Sequence, residues 1–362
     1  MVHFIFSYAI INNGEIIMSY MDKEKHYNPV SRYYKDKFKT KIAKISFNLN
    51  FGCPNRDGTK GFGGCTFCSE TGSGDFAGNV CDSISKQYDD IKGILNKKWP
   101  NAKYLAYLQA FSNTYADINV LKSVYYQIIN LDENIVGLAI ATRPDCLNED
   151  IIKLLDEINQ IIPVQLELGL QTINDETAKK INRGYSLKEF ESAMKLLNNH
   201  KFDLVVHIIN GLPNETKTDM INNIIFLNKY PINGIKIHSL LILNKTKMAL
   251  EYELKPFKIL TLNEYVDIVC DQIGYLRDDI IIHRLAADGN ISDLIEPKWT
   301  IKKLVVQNEI DKELRKRNIY QGDYLKSSSN NKWFSLKTSL KTSSAIQGVK
   351  SEIHFRNVNA CL

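Results

Sequence analysis

The chain has 362 residues, with 46 Lys and Arg against 41 Asp and Glu, 44% hydrophobic and 24% charged residues, and a net charge of +5. That length buries a full core, as one large domain or two modest ones, and the ordinary composition sets aside a membrane-embedded chain. The mild positive charge permits a nucleic-acid partner without requiring one.

The first residues, MVHFIFSYAIINNGEIIMSY, hold a short apolar run with no Lys or Arg before it and with Asn12-Asn13-Gly14-Glu15 inside it. It is too short to span a bilayer and lacks a basic leader. We expect residues 1–31 to be a poorly ordered extension, with Met18 or Met21 as the natural start. Strand-like apolar runs then follow at Ile42–Leu49, Lys103–Gln109, Ile135–Thr142, Val164–Leu170, Leu204–Ile209 and Gly234–Leu241, with a seventh ending near His283. Several are continuous enough to be covered on both faces. Amphipathic stretches separate them: Ser83–Lys98, Asn148–Asn159, Leu187–Asn199 and Thr218–Asn228. Asp117 and Ser186 stand where N-caps belong.

Alternating β and α implies a parallel sheet with right-handed crossovers. Six such units predict an α/β fold, a partial (β/α)6 TIM-like barrel, against a doubly wound sheet as competitor. Residues 32–290 would form this core and 291–324 a helical C-terminal extension packed on it. From about Lys326 the text, KSSSNNKWFSLKTSLKTSSAIQG, loses apolar periodicity, so residues 325–362 read as a flexible tail.

Barrel active sites sit where strands end and βα loops begin. The polar residues fall there. A cysteine loop follows the first strand. Gln109, Ser112 and Asn113 follow the second, Thr142-Arg143-Pro144-Asp145 the third, and Glu167 and Gln171 mark the fourth. Asn210-Gly211-Leu212-Pro213 follows the fifth, and His238 and Ser239 lie on the sixth.

The cysteine loop, CPNRDGTKGFGGCTFC, places Cys53, Cys65 and Cys68 within sixteen residues, interleaved with four glycines. Core packing does not account for such spacing. A zinc ribbon needs a second C-x-x-C, which the chain lacks, although Cys81 offers a fourth thiolate. Disulfides suit neither the size nor the missing export signal. A 4Fe–4S cluster takes one ligand per iron, so three protein thiolates leave one iron open to a reacting molecule.

This loop, with GSGDFAG, ATRPD, LELGLQT, INRGY, HIINGLPNET and GIKIHSL, resembles the radical S-adenosylmethionine superfamily. Within it, the motifs look like the YhcC/YtqA-type branch, related to elongator-type radical enzymes that modify tRNA. The resemblance runs from about Arg32 to Tyr324. It implies that Cys53, Cys65 and Cys68 ligate a 4Fe–4S cluster whose fourth iron binds S-adenosylmethionine, cleaved to a 5′-deoxyadenosyl radical. It also implies that Phe67 packs against the adenine. Gln109 and Ser112 would contact the methionine ammonium where the superfamily often has Gly-Gly-Glu. Glu167 and Gln171 would contact the ribose and ammonium, or join a barrel-interior network. Arg143 and Arg183 would meet the methionine carboxylate or pair inside the barrel. Backbone amides at Asn210 and Gly211 would reach the adenine edge.

His238, His283 and Asp288 are the substrate-side candidates; the branch often shows Thr-Gly where this chain has Ala286-Ala287. The related branch implies conversion of the carboxymethylaminomethyl side chain on the wobble uridine of tRNA to aminomethyl. RYYKDKFKTKIAK, residues 32–44, mixes cations with aromatics as an RNA surface does, or leads amphipathically into the first strand, and ELRKRN, 313–318, adds a second basic patch. The alternatives are a small metabolite or protein side chain as substrate, and a zinc-stabilised binding module without turnover. A cytoplasmic enzyme with a flavodoxin- or ferredoxin-type electron donor follows from the resemblance. Cys146 and Cys270 read as core thiols and Cys361 as a tail residue.

Overall fold

The computed structural model describes residues 9–12, 15–49, 51–72, 74, 76–287 and 289–326. Two antiparallel strands, β1 (Ala9–Asn12) and β2 (Glu15–Met18), precede helix α1 (Val30–Phe38). Strands and helices then alternate: β3 (Ile42–Phe47), α2 (Ile84–Lys98), β4 (Lys103–Leu108), α3 (Ile118–Ile129), β5 (Ile135–Thr142), α4 (Glu149–Asn159) and β6 (Val164–Gln171). Next come α5 (Asp175–Lys180), α6 (Leu187–Leu197), β7 (Asp203–Asn210), α7 (Lys217–Leu227), β8 (Gly234–Ser239), β9 (Ile242–Leu243), α8 (Lys247–Leu254) and α9 (Leu262–Tyr275). β10 (Ile281–Arg284), β11 (Leu294–Glu296) and α10 (Lys303–Arg317) complete the described chain.

Seven strands form one parallel sheet in the order β10-β8-β7-β6-β5-β4-β3, curled into an open barrel, while β11 pairs with β9 apart from it. The run ending near His283 is therefore a seventh member of the barrel sheet. The predicted strand positions agree with the observed ones to within two residues, because each apolar run is long enough to be covered by helices. On β6, Leu166, Leu168 and Leu170 are fully buried, and on β7 so are Val206 and Ile208. The alternate positions, Gln165, Glu167 and His207, meet one another inside the barrel. Asp117 caps α3 through a bond from Asn119 N, and Ser186 opens α6 with a capping box to Glu189, as the sequence indicated.

The edge strands β3 and β10 do not pair with each other; α1 packs against both. Its Tyr34 enters the barrel beside Leu105, Tyr107 and Ala139, and the hydroxyl donates to Gln165 Oε1 at 2.7 Å. Ahead of α1, Asn28 O accepts from Ile282 N at 2.8 Å, Tyr27 is buried, and His26 stacks on Tyr320 with ring centroids 3.8 Å apart. Residues 19–31 are thus part of the fold, contrary to the poorly ordered extension expected of them. Single aromatic anchors hold this segment, and they leave no periodic signal. α10 lies on α9, with Val306, Ile310 and Leu314 buried in the main core. Residues 327–362, including Cys361, lie outside the described residues.

Tyr34 plugs the barrel end remote from the strand C-termini. Tyr34→Ala is expected to cost roughly 3 kcal/mol by removing a buried ring, and Tyr34→Phe about 1 kcal/mol by removing one hydrogen bond. Urea unfolding of both variants checks this; equal losses would mean that the ring does not fill the end of the barrel.

Candidate radical S-adenosylmethionine site

The C-terminal ends of the strands surround a cavity of about 270 Å³. Cys53, Cys65 and Cys68 line it, together with Phe67, Gln109, Arg143, Glu167, Gln171, Arg183 and His238 of the expected site.

The cysteine loop keeps its shape through bonds to the segment Ile181–Tyr185. Thr66 N donates to Ile181 O at 2.9 Å, and Asn182 Nδ2 donates to Gly64 O at 2.7 Å. Asn55 Nδ2 donates to Asn182 O at 2.6 Å. Glycine is required where the two segments meet: a Cβ on Gly61 or Gly184 would lie 2.5 or 2.3 Å from Asn55 Oδ1, and Gly184 has φ of +79°. The INRGY motif is therefore the buttress of the cysteine loop.

Arg143 forms a bidentate pair with Asp145, 2.9 and 2.8 Å, and donates to Arg183 O at 2.8 Å. Arg183 is fully buried and donates to the carbonyls of Leu170, Thr172 and Tyr185 and to Asp175. A guanidinium has five N–H donors, so Arg143 keeps two and Arg183 one. Both stack on Tyr185, 4.9 and 4.3 Å from the ring centroid. The Tyr185 hydroxyl donates to Gly169 O and lies 3.0 Å from Gln171 Oε1.

Glu167 belongs to the barrel interior. Its Oε1 accepts from Lys44 at 3.1 Å and Gln165 at 2.7 Å; its Oε2 accepts from His207 at 2.9 Å and from Lys236. These bonds fill a carboxylate's four lone-pair positions, so the ribose or ammonium contact expected of Glu167 has no acceptor left to make it. Burial opposes its ionisation, but Lys236, Lys44 and His207 together hold it well below the usual carboxylate range. Burial and then Lys236 push His207 down to about 4. The imidazole is therefore neutral and donates from Nε2, since the carboxylate only accepts.

Several expected contacts lie elsewhere. Ser112 is fully buried, its hydroxyl 2.9 Å from Thr142 Oγ1, and does not line the cavity. Asn210 exchanges two side-chain bonds with Gln272, at 2.7 and 2.9 Å, and Gly211 N faces Met220 Sδ at 3.2 Å. Their turn is closed on its own core and offers no amide to an adenine. His283 lines a different hollow, at the α1 end, with Tyr20, Tyr33 and Asp203, because β10 carries a bulge that turns Arg284 toward the main cavity instead. Asp288 lies outside the described residues. Tyr107, Tyr185, His207, Lys236 and Arg284 line the cavity without having been singled out. For Tyr107, His207, Lys236 and Arg284 the signal available was a polar residue within an otherwise apolar strand; Tyr185 lies between α5 and α6.

The three thiols suit a cluster. Burial, then the neighbouring Cys68 thiol, pushes Cys65 up to about 12, so ionising all three needs a cationic centre between them. Among the described residues no three His, Cys, Asp or Glu side chains converge as one metal ion would require. Irons that each take their own thiolate fit this donor set. Cys81 is exposed and apart from the cavity, while Cys146 and Cys270 are buried.

Residues 48–227 match the Radical SAM superfamily, and residues 232–316 match the Radical_SAM C-terminal domain. Over 305 residues the chain is 41% identical to the uncharacterized protein YtqA of Bacillus subtilis (strain 168), a span of 84% of this chain and 94% of that protein. It is 27% identical over 140 residues to the tRNA uridine(34) acetyltransferase of Methanocaldococcus infernus, covering 37% of this chain and 25% of that one. Among solved structures, the archaeal Methanocaldococcus infernus Elp3 with an N-terminal deletion has a TM-score of 0.57 at 16% identity, covering 77% of this chain and 64% of that chain; this is a likeness of fold.

The chain belongs to the radical SAM superfamily and is an enzyme of that class, with a 4Fe–4S cluster and S-adenosylmethionine as cofactors. Within the superfamily it falls in the branch of YtqA and YhcC. When bound, the reduced cluster supplies the electron that cleaves the sulfonium of S-adenosylmethionine. Among the described residues no helix is long and apolar enough to cross a membrane.

Cys53→Ala, Cys65→Ala and Cys68→Ala are each expected to abolish the iron–sulfur chromophore after anoxic reconstitution, and Cys81→Ala to leave it intact. Absorbance together with iron and sulfide content checks this. A colourless Cys81→Ala protein would make Cys81 a ligand.

Proposed function

We propose that this enzyme modifies the wobble uridine of tRNA, converting a carboxymethylaminomethyl group on carbon 5 of the base to aminomethyl: two-electron oxidation of the N–CH2 unit, with S-adenosylmethionine as the oxidant, and hydrolysis of that C–N bond by water release the carboxymethyl carbons as glyoxylate. The observation that carries the reading is the relation of the radical core to a protein named for tRNA uridine(34). Cys53, Cys65 and Cys68 hold the cluster. Phe67, Gln109, Arg143, Gln171 and Arg183 hold S-adenosylmethionine, with the unspent N–H groups of Arg143 meeting the methionine carboxylate. A flavodoxin- or ferredoxin-type donor in the cytoplasm supplies the electron.

We place the RNA face at the cavity rim rather than on the basic runs. The run from Arg32 to Lys44 lies on α1 and β3, and four of its six cations are in ion pairs: Arg32 with Asp22 at 2.6 Å, Lys37 with Asp203 at 2.6 Å, Lys39 with Asp36 at 2.9 Å and Lys44 with Glu167 at 3.1 Å. Tyr34 is buried. In the second patch, Arg317 pairs with Glu313, Asp267 and Asp271, and Lys316 with Glu313. The cavity rim carries the aromatic and basic groups that single-stranded RNA uses. Phe76 is 55% exposed, Lys303 lies 5.7 Å from its ring centroid, and Arg56 lies 5.3 Å from that of Phe111.

A nucleoside mass profile of bulk tRNA from cells with and without the gene tests the reaction. Carboxymethylaminomethyl-uridine is expected to accumulate without it, and to be cleared by the intact gene but not by Cys65→Ala. An unchanged profile would favour a metabolite or protein side chain as substrate.

The face is tested separately by tRNA binding at fixed salt. Phe76→Ala should weaken binding by about tenfold, the scale of one lost base stack. Neutralising Lys35, Lys37 and Lys39 together should change it less than twofold. The opposite pattern would move the interface to α1.

A further inference from the structure

Among the described residues, two lysines share the one carboxylate at the floor of the cavity. Among the described residues that line the cavity, Glu167 is the only Asp or Glu, and it accepts from both Lys44 and Lys236. Lys236 is 4% exposed. Of its three N–H donors, one goes to Glu167 and one to Tyr107 Oη at 3.3 Å. The third has no acceptor among the described residues, and a buried charged donor left unmade is costly. Arg284 lines the same cavity and adds a second cation close enough to act on Lys236. Burial, with Lys44 and Arg284, pushes Lys236 well below the ordinary lysine range despite Glu167. A second anion would relieve all of these strains at once. His238 lines the same cavity, and its buried Nε2 has no hydrogen-bond partner among the described residues.

This surplus stands apart from the S-adenosylmethionine contacts. Arg143 and Arg183 sit beside the cysteine loop, tied to it through Asn182 and Tyr185, whereas Lys236 stands on β8 among the groups of the barrel interior. One ammonium beyond what Glu167 neutralises matches a single negative charge. A carboxylate brings that charge on two acceptor oxygens, one for Lys236 and one for Arg284.

We propose that the substrate group entering this cavity bears a carboxylate, and that Lys236 and Arg284 hold it at the floor as specificity-determining residues. This rests on the proposed function for the identity of the group, a carboxymethyl on a secondary amine, while the charge arrangement stands for any carboxylate substrate. The carboxylate anchor fixes the neighbouring methylene within the cavity, so the substrate is held at both the floor and the rim.

The test uses the anoxic, cluster-loaded enzyme with S-adenosylmethionine bound, and N-benzylglycine as probe against its methyl ester, which has the same shape without the charge. Binding is read by calorimetry or by the shift in unfolding midpoint. The acid is expected to bind at least about tenfold more tightly than the ester, the scale of a charge-assisted hydrogen bond. Lys236→Met should remove that preference. Should Lys236→Met fail to fold, Arg284→Met, on a half-buried residue, carries the same expectation. Equal binding of acid and ester by the unaltered enzyme, or a preference that survives Arg284→Met and every foldable change at Lys236, would overturn the proposal. The two readings fail separately. An unchanged tRNA profile with the acid preference intact would remove the tRNA and keep the carboxylate anchor. A changed profile with no preference would do the reverse.

Discussion

Glu167 is ionised with no access to water, and the interior of the barrel is arranged around that fact. A buried carboxylate is tolerated when its oxygens are filled and opposite charge is adjacent. Lys44 from β3, Gln165 from β6, His207 from β7 and Lys236 from β8 meet that demand. Tyr34 of α1 then reaches the same network through Gln165. One charge thus connects the edge strand β3 to the middle of the sheet and the plug helix to the interior. Taking away any single partner would leave an acceptor position of the buried carboxylate unfilled, so the network ties strand order and register to the cavity floor.

The rim is built on a different principle. A loop that would present three cysteines to one cluster cannot be formed from regular elements, and here it is shaped by glycines and backbone bonds. Its support is borrowed from the segment after β6, where Arg183 gathers three carbonyls and Asn182 clamps the loop. Arg143 joins the two by donating to Arg183 O while pairing with Asp145. The loop therefore takes its geometry from the fourth barrel unit, even though it is attached to the first.

What the sequence made legible follows from this contrast. Strands buried on both faces must be apolar throughout, so they could be read, and the loops at their ends could be read from glycine and cysteine spacing. The interior network was legible only as interruptions: Glu167 was noticed, with a cofactor contact and a barrel-interior network both open to it, and Lys236 and His207 were passed over. Nothing local to LELGLQT reports that lysines from two distant strands will fill its carboxylate. The same limit explains the basic run before β3. Its charges look available in one dimension, but Asp22, Asp36, Asp203 and Glu167 take up four of the six once the chain folds. His283 was misplaced because a bulge in β10 reverses which of two adjacent residues faces the site.

Floor and rim also answer different chemical needs. A radical formed near the cluster is indiscriminate, so selectivity must come from how the target bond is positioned and from the exclusion of other hydrogen donors. The floor suits that task because its lysines and the His207 imidazole are all bonded to the one buried carboxylate. The rim is more open, with Phe76 exposed beside Lys303. A substrate gripped at both levels would be held along its length, with its reactive carbon between the rigid charge below and the stacked ring above. A cavity with its polar groups at the floor and its aromatics at the mouth favours a substrate whose charged end enters first and whose flat end remains outside.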